Sequence, residues 1–162
     1  MSVWRGRSPV VARVQEFTDR LVHVSVRVGS TLPLDSAQAQ VLLAFLHDRS
    51  IVARILNPEG KVSGELEESM MRIREAGIAI NTRNIEGTRT IAVPVRTEDG
   101  DACATLAFVG TISAISSDPS SPMAVALMET ADQLSRQLGW HERAPELEVQ
   151  NGSFRRVHNP VS

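Results

Sequence analysis

Two runs rich in β-branched residues, 88–97 (TRTIAVPVRT) and 102–110 (ACATLAFVG), are joined by Glu98-Asp99-Gly100-Asp101, and nothing else constrains this chain as strongly. A polar four-residue link containing glycine joins antiparallel neighbours, because a parallel pair needs a crossover of a dozen residues or more. Just upstream, residues 78–81 (IAIN) follow Gly77 and make a third short strand candidate. The centre of the chain is therefore an antiparallel meander. Its apolar faces have to be covered by helices.

The helices are read from their period. Residues 64–76 place Leu66, Met70 and Ile73 inward and an i,i+4 pair, Glu68 and Arg72, outward, with Gly77 as the stop. Residues 36–46 (SAQAQVLLAFL) carry Ala39, Leu42, Leu43 and Leu46 on one stripe, and Asp35 or Ser36 is placed to cap them. A short helix covers residues 50–56 and ends before Asn57-Pro58. The closing helix, 121–138, turns Ala124, Leu127, Met128, Ala131, Leu134 and Leu138 inward and Glu129, Asp132 and Arg136 outward. Such a stripe reads as core rather than as a surface for a partner.

Near the start, residues 10–17 (VVARVQEF) read as a strand. Residues 21–29 alternate Val22, Val24, Val26 and Val28 with polar neighbours, and 18–20 suit a hairpin between the two. After Gly139-Trp140 the periodicity stops. The expected organisation is a single α+β domain over residues 1–140 and a flexible tail over 141–162.

Charge and composition exclude several classes. The formal net charge is −2, and basic residues cluster only at Arg5 with Arg7 and at Arg155 with Arg156, so the chain lacks a DNA-gripping face. No apolar run reaches bilayer length and the start lacks a signal-peptide core, which predicts a cytoplasmic protein with no membrane partner. One cysteine, Cys103, permits neither an intrachain disulfide nor a multi-cysteine metal site, and it is expected to be a buried, inert thiol. The histidines at 23, 47, 141 and 158 lie far apart, so no metal site is predicted. Nucleophile elbow, phosphate loop and dinucleotide fingerprint are all missing, and neither an enzyme nor a cofactor is expected.

Three local signatures, in order, resemble one family. They are RVGSTLPL followed by a small-residue helix ending LLAFL, then RIREAGIAI with EGTRTIAVPV and EDGDACATLAFVG, then ETADQLSRQLGW. Together they are similar to the effector-binding domain of IclR-type bacterial transcriptional regulators, over roughly residues 4–140. The resemblance implies a GAF-like sensor fold, with a central, mainly antiparallel sheet flanked by helices. It implies a small organic acid as effector, a homo-oligomer (dimer or tetramer), and DNA contact only through a winged-helix head that relatives carry ahead of this region. Here Ser2-Val3-Trp4 would be the tail of a truncated first strand, and that head is expected to be missing. A different class stays open: a standalone interaction module that co-assembles with full-length relatives.

The resemblance also implies a cavity whose floor is the sheet and one wall of which is the start of the small-residue helix. The matching positions at the helix are Leu34, Asp35, Ser36, Gln38 and Ala39, where free amides and the helix dipole suit a carboxylate. Relatives commonly have glycine near Gln38, so this residue either fills that wall or faces solvent. On the sheet the matching positions are Asn81, Thr88, Thr90, Ala107 and Val109. Asn81 replaces a common acidic residue, and Thr88 and Thr90 are either pocket donors or plain strand formers. Ala107 and Val109 stand where many relatives have serines. A pocket without those hydroxyls is expected to take an aromatic or aliphatic acid in preference to a small oxoacid.

Overall fold

The computed structural model describes residues 1–5, 8–16, 26–56, 64–82, 86–141, 147–150 and 153–156, without the side chains of 65, 66 and the last two segments. In chain order the elements are β1 (Ser2–Arg5), β2 (Ser8–Val11), α1 (Ala37–Ala44), α2 (Arg49–Leu56), α3 (Gly64–Ala76) and β3 (Ala79–Asn81). They continue with β4 (Thr88–Arg96), β5 (Ala102–Thr111), α4 (Pro122–Gln137), β6 (Leu147–Gln150) and β7 (Ser153–Arg156). The first five strands form one sheet in the order β2-β1-β5-β4-β3, with every pairing antiparallel. This is the expected α+β architecture.

The central hairpin is β4 against β5, turned by Gly100, whose φ of 89° lies where a side chain would be strained. Gly100 N–H donates to the Thr97 carbonyl at 2.8 Å and closes the turn. Gly77 ends α3 in the same left-handed region, φ 68°, and its N–H reaches the Ile73 carbonyl at 2.9 Å. The two helices that pack on the sheet, α1 and α4, are both capped by serine. Ser36 Oγ accepts from Ala39 N–H at 3.2 Å, and Ser121 Oγ accepts from Ala124 N–H at 3.4 Å.

Strand alternation sorts the sheet into two faces. One carries Ile78, Ile91, Val93, Val95 and Ala104, and α4 packs Ala124, Leu127 and Ala131 against it. The other carries Ala79, Ala92 and Ala107, which lie side by side across β3, β4 and β5. These three small residues let α1 sit directly on the sheet, with Val41, Leu43 and Ala44 in the same cluster. Helix α3 then covers α1 through Met70 and Ile73. A helix caught between a sheet and another helix has no solvent face, and all but one of the α1 residues are buried.

Several expectations shift. Residues 10–17 do not form one strand: β2 is Ser8–Val11, and residues 12–16 are irregular. The regular ladder ends where Ser2 pairs with Val11; beyond it the Met1 carbonyl accepts from both Ala12 N–H and Arg13 N–H, an irregular pairing that does not continue the strand. β1 itself is an inner strand, paired with both β2 and β5. Of the strand expected at 21–29, residues 21–25 and the proposed hairpin at 18–20 lie outside the described residues, and 26–29 form a loop and turn. The side chain of Leu66 is likewise outside them. Leu138 is not inward but 51% exposed, at the cap of α4, whereas Ser135 takes an inward place. No ion pair joins Glu68 and Arg72. Within the tail, β6 and β7 pair antiparallel as a separate two-stranded ladder.

Candidate functional site

The alanine row fixes where the polar row next to it must fall. One step toward the open ends of the strands, Asn81 lies opposite Thr90 and Thr90 opposite Val109. Adjacent strands lie about 4.8 Å apart, so this second row spans roughly 10 Å. It points to the same side of the sheet as the alanines, because residues two apart on a strand share a face. Since α1 rests on the alanine row, the question is which of its ends reaches the polar row.

A single hydrogen bond answers it. The Asn81 side-chain amide donates from Nδ2 to the Asp35 carbonyl at 2.5 Å, and Asp35 immediately precedes the capping Ser36. The first turn of α1 is therefore tied to the row Asn81–Thr90–Val109. Backbone N–H groups in that turn lack intrahelical acceptors, and the dipole adds partial positive charge there. Asn81, Thr88, Thr90, Ala107 and Val109 are all half-buried, so the row is neither sealed core nor free surface.

The helix side of the site is tightly packed. Ser36 is 3% exposed, Gln38 7% and Ala39 0%, while Leu34 is half-buried and Asp35 exposed. Gln38 thus does not face solvent. Its side chain is packed into the first turn of α1. Thr88 pairs with Thr111 at the far end of the row, and Thr105, on the same face of β5, is fully buried with its hydroxyl unpartnered among the described residues. Thr105 is a polar group that the sequence reading passed over. The alternation on β5 pointed to it.

Cys103 departs from expectation. The β4–β5 register runs from Val95 opposite Ala104 to Arg96 opposite Ala102, so Cys103 is the extra residue of a bulge. It leaves the face shared by Thr105 and Ala107 and is exposed, not buried. Its thiol lies 3.4 Å from the Val95 carbonyl, and partial burial pushes its pKa up, the opposite of an activated nucleophile. Among the described residues no cluster of His, Cys, Asp or Glu is placed to hold a metal ion.

Two further contacts lie at the turn end of the hairpin. The Arg96 guanidinium lies over the Phe45 ring at 4.5 Å and the Trp140 ring at 4.8 Å, joining the C-cap of α1, the end of β4 and the chain just beyond α4. At the β4–β5 turn, Asp101 Oδ1 accepts from His47 N–H at 2.8 Å and meets His47 Nδ1 at 2.6 Å. These are links between elements, distant from the polar row in sequence register.

An antiparallel five-stranded sheet with helices packed on both faces, and one helix end tied to a half-buried polar row, defines the class as an α+β domain. The chain belongs to the family described as bacterial transcriptional regulator IclR, C-terminal, which matches residues 1–136. Its fold is similar to that of HmgR from Pseudomonas aeruginosa, with 29% identity, a TM-score of 0.76, and coverage of 86% of this chain and 58% of that one. It is also similar to the repressor BlcR from Agobacterium tumefaciens, with 25% identity, a TM-score of 0.68 and coverage of 86% and 58%. The Thermotoga maritima IclR protein shares the fold at 23% identity and a TM-score of 0.72, with coverage of 86% and 60%. The chain thus spans about three fifths of these regulators. No curated protein sequence matches it. Family and neighbours are transcriptional regulators, not enzymes, and among the described residues no helix is long and apolar enough to cross a membrane.

Proposed function

We propose that this chain is the effector-sensing part of an IclR-type regulator, binding a small organic acid without turning it over. The bond from Asn81 to the Asp35 carbonyl supports the reading, because it ties the start of α1 to the strand residue that pairs with Thr90. In the proposed pose the carboxylate meets the first turn of α1 and the Asn81 and Thr90 side chains. The body of the acid lies on Ala107 and Val109, with Leu34, Asp35, Ser36, Gln38 and Ala39 forming the wall. No cationic side chain belongs to this set, so the helix end supplies the attraction for the anion.

Ala107 and Val109 offer methyl groups and no hydroxyls, which favours an aromatic or aliphatic acid over pyruvate or glyoxylate. Thermal-shift measurements with benzoate and with the two oxoacids test this directly. Benzoate is expected to raise Tm more at equal concentration, and preferential stabilisation by the oxoacids overturns the preference. The sensor is proposed to end near residue 140, to work in the cytoplasm as a dimer or tetramer, and to reach DNA only through a separate winged-helix head. Binding would then shift the populations of subunit arrangements and so the spacing of the heads.

A further inference from the structure

A second cleft opens where α1, α3 and β3 meet. It holds about 230 Å³, and of the rows described above it shares only Ala79, with none of Asn81, Thr90, Val109 or the start of α1 in its lining. Its floor is apolar, built from Ile73 of α3, Ile78 and Ile80, with Pro119 reaching in from the turn before α4. Its rim is polar and comes from two helices: Gln40 of α1 and Ser69 and Arg72 of α3.

The state of Arg72 is the telling observation. At i,i+4 spacing from Glu68 it has a carboxylate partner within reach of an ordinary helix-surface pair, yet no such pair forms. Arg72 instead belongs to the lining of the cleft, and no side-chain hydrogen bond of Gln40, Ser69 or Arg72 occurs among the described residues. Three polar side chains with uncommitted donors thus share a cleft with an apolar floor. Its volume of about 230 Å³ is below the range of drug-sized pockets, which suits a small ligand.

We propose that this cleft is a second ligand site, taking a monocarboxylate with a short apolar body. Arg72 holds the carboxylate as a charge-assisted pair, Ser69 and Gln40 complete its hydrogen bonds, and the chain of the acid lies on Ile73, Ile78 and Ile80. The outer edge of β3 is only three residues long, too short to recruit a peptide strand with useful affinity, which favours a small molecule.

Hexanoate and its neutral isostere hexanamide test the site, read by amide chemical shifts in the intact chain. Hexanoate is expected to move the amides of Gln40, Ser69, Ile73 and Ala79 saturably, with hexanamide at least ~10-fold weaker. Arg72→Gln, an exposed change, is expected to weaken hexanoate by ~10-fold or more, and Ser69→Leu, a helix-compatible change that fills the cleft, to abolish it. Equal binding of the amide, unchanged affinity in Arg72→Gln, or absence of any saturable shift overturns the proposal. Shifts confined to Asn81, Thr90 and Val109 overturn it too, while leaving the effector reading intact.

Discussion

The Ser36 cap joins fold to site, and removing it has a magnitude that follows from its surroundings. Ser36 Oγ accepts from Ala39 N–H at 3.2 Å, and both residues are buried, at 3% and 0% exposure. Ser36→Ala therefore leaves an amide without a partner in a place water reaches poorly. Serine-to-alanine caps cost about 0.5–2 kcal/mol, and burial puts this one in the upper half, about 1–2 kcal/mol. Ser121 supplies the comparison inside the same molecule. Its bond to Ala124 N–H is longer, 3.4 Å, and Ser121 is only half-buried, so Ser121→Ala belongs in the lower half, about 0.5–1 kcal/mol. For a domain of this size each kcal/mol moves Tm by about 2–4 °C, so the two variants separate cleanly in thermal and urea unfolding. Ser36→Gly supplies no acceptor either, so it is expected to recover little of the loss where water reaches the freed amide poorly. Equal destabilisation by the two alanine variants, at unchanged urea slope, refutes the argument that burial of the capped amide sets the cost.

Overpacking the alanine row should hurt through steric strain: Ala92→Val adds bulk at a residue with 0% exposure beneath α1, and unfolding is expected to show a loss of about 1–3 kcal/mol. Arg96→Met keeps the stem but removes the cation between Phe45 and Trp140. It is expected to change Trp fluorescence and cost about 0.5–1 kcal/mol, and an unchanged emission spectrum contradicts the clamp. Because burial raises the Cys103 pKa, its alkylation by iodoacetamide near neutral pH should be slower than that of a free cysteine; a faster rate contradicts an unactivated thiol. Asp48 heads α2, where the Ser50 hydroxyl and then the Ser50 and Ile51 amides hold its carboxyl below the ordinary value. A lowered folded-state pKa means its contribution is present above the ordinary carboxylate value and lost as pH falls through the lowered one. A carboxyl ¹³C titration of Asp48 with its midpoint at or above the ordinary value sinks that assignment.

What the sequence revealed and what it hid divide along one physical line. Local signals were enough wherever an element's own residues determine its ends. Gly77 stops α3 at a left-handed φ, Ser36 and Ser121 cap their helices, and Gly100 turns the hairpin, all at positions readable from residue type. Quantities set by a partner were not readable. The run VVARVQEF is rich in strand-forming side chains, but regular pairing of β2 with β1 ends at Val11, where the Met1 carbonyl takes both following amides. Gln38 looks like a surface residue in any helix with a solvent face, and α1 has none once α3 covers it. Cys103 leaves its expected face because a bulge inserts it between two paired residues, and no local feature of ACATLAFVG marks that register shift. The same division applies to the site. Asn81, Thr90 and Val109 were named through the family resemblance, and the strand register gives the physical reason they share one face. That α1 meets this row with its N-terminal end, as the resemblance implied, rests in the structure on the Asn81–Asp35 bond across 46 residues, and the anion affinity proposed for this row depends on that contact. Breaking it with Asn81→Leu, which keeps the side chain's size but donates nothing, is therefore expected to weaken benzoate binding even though Thr90 and Val109 stay in place. Unchanged binding in that variant assigns the anion to the sheet alone and removes α1 from the site.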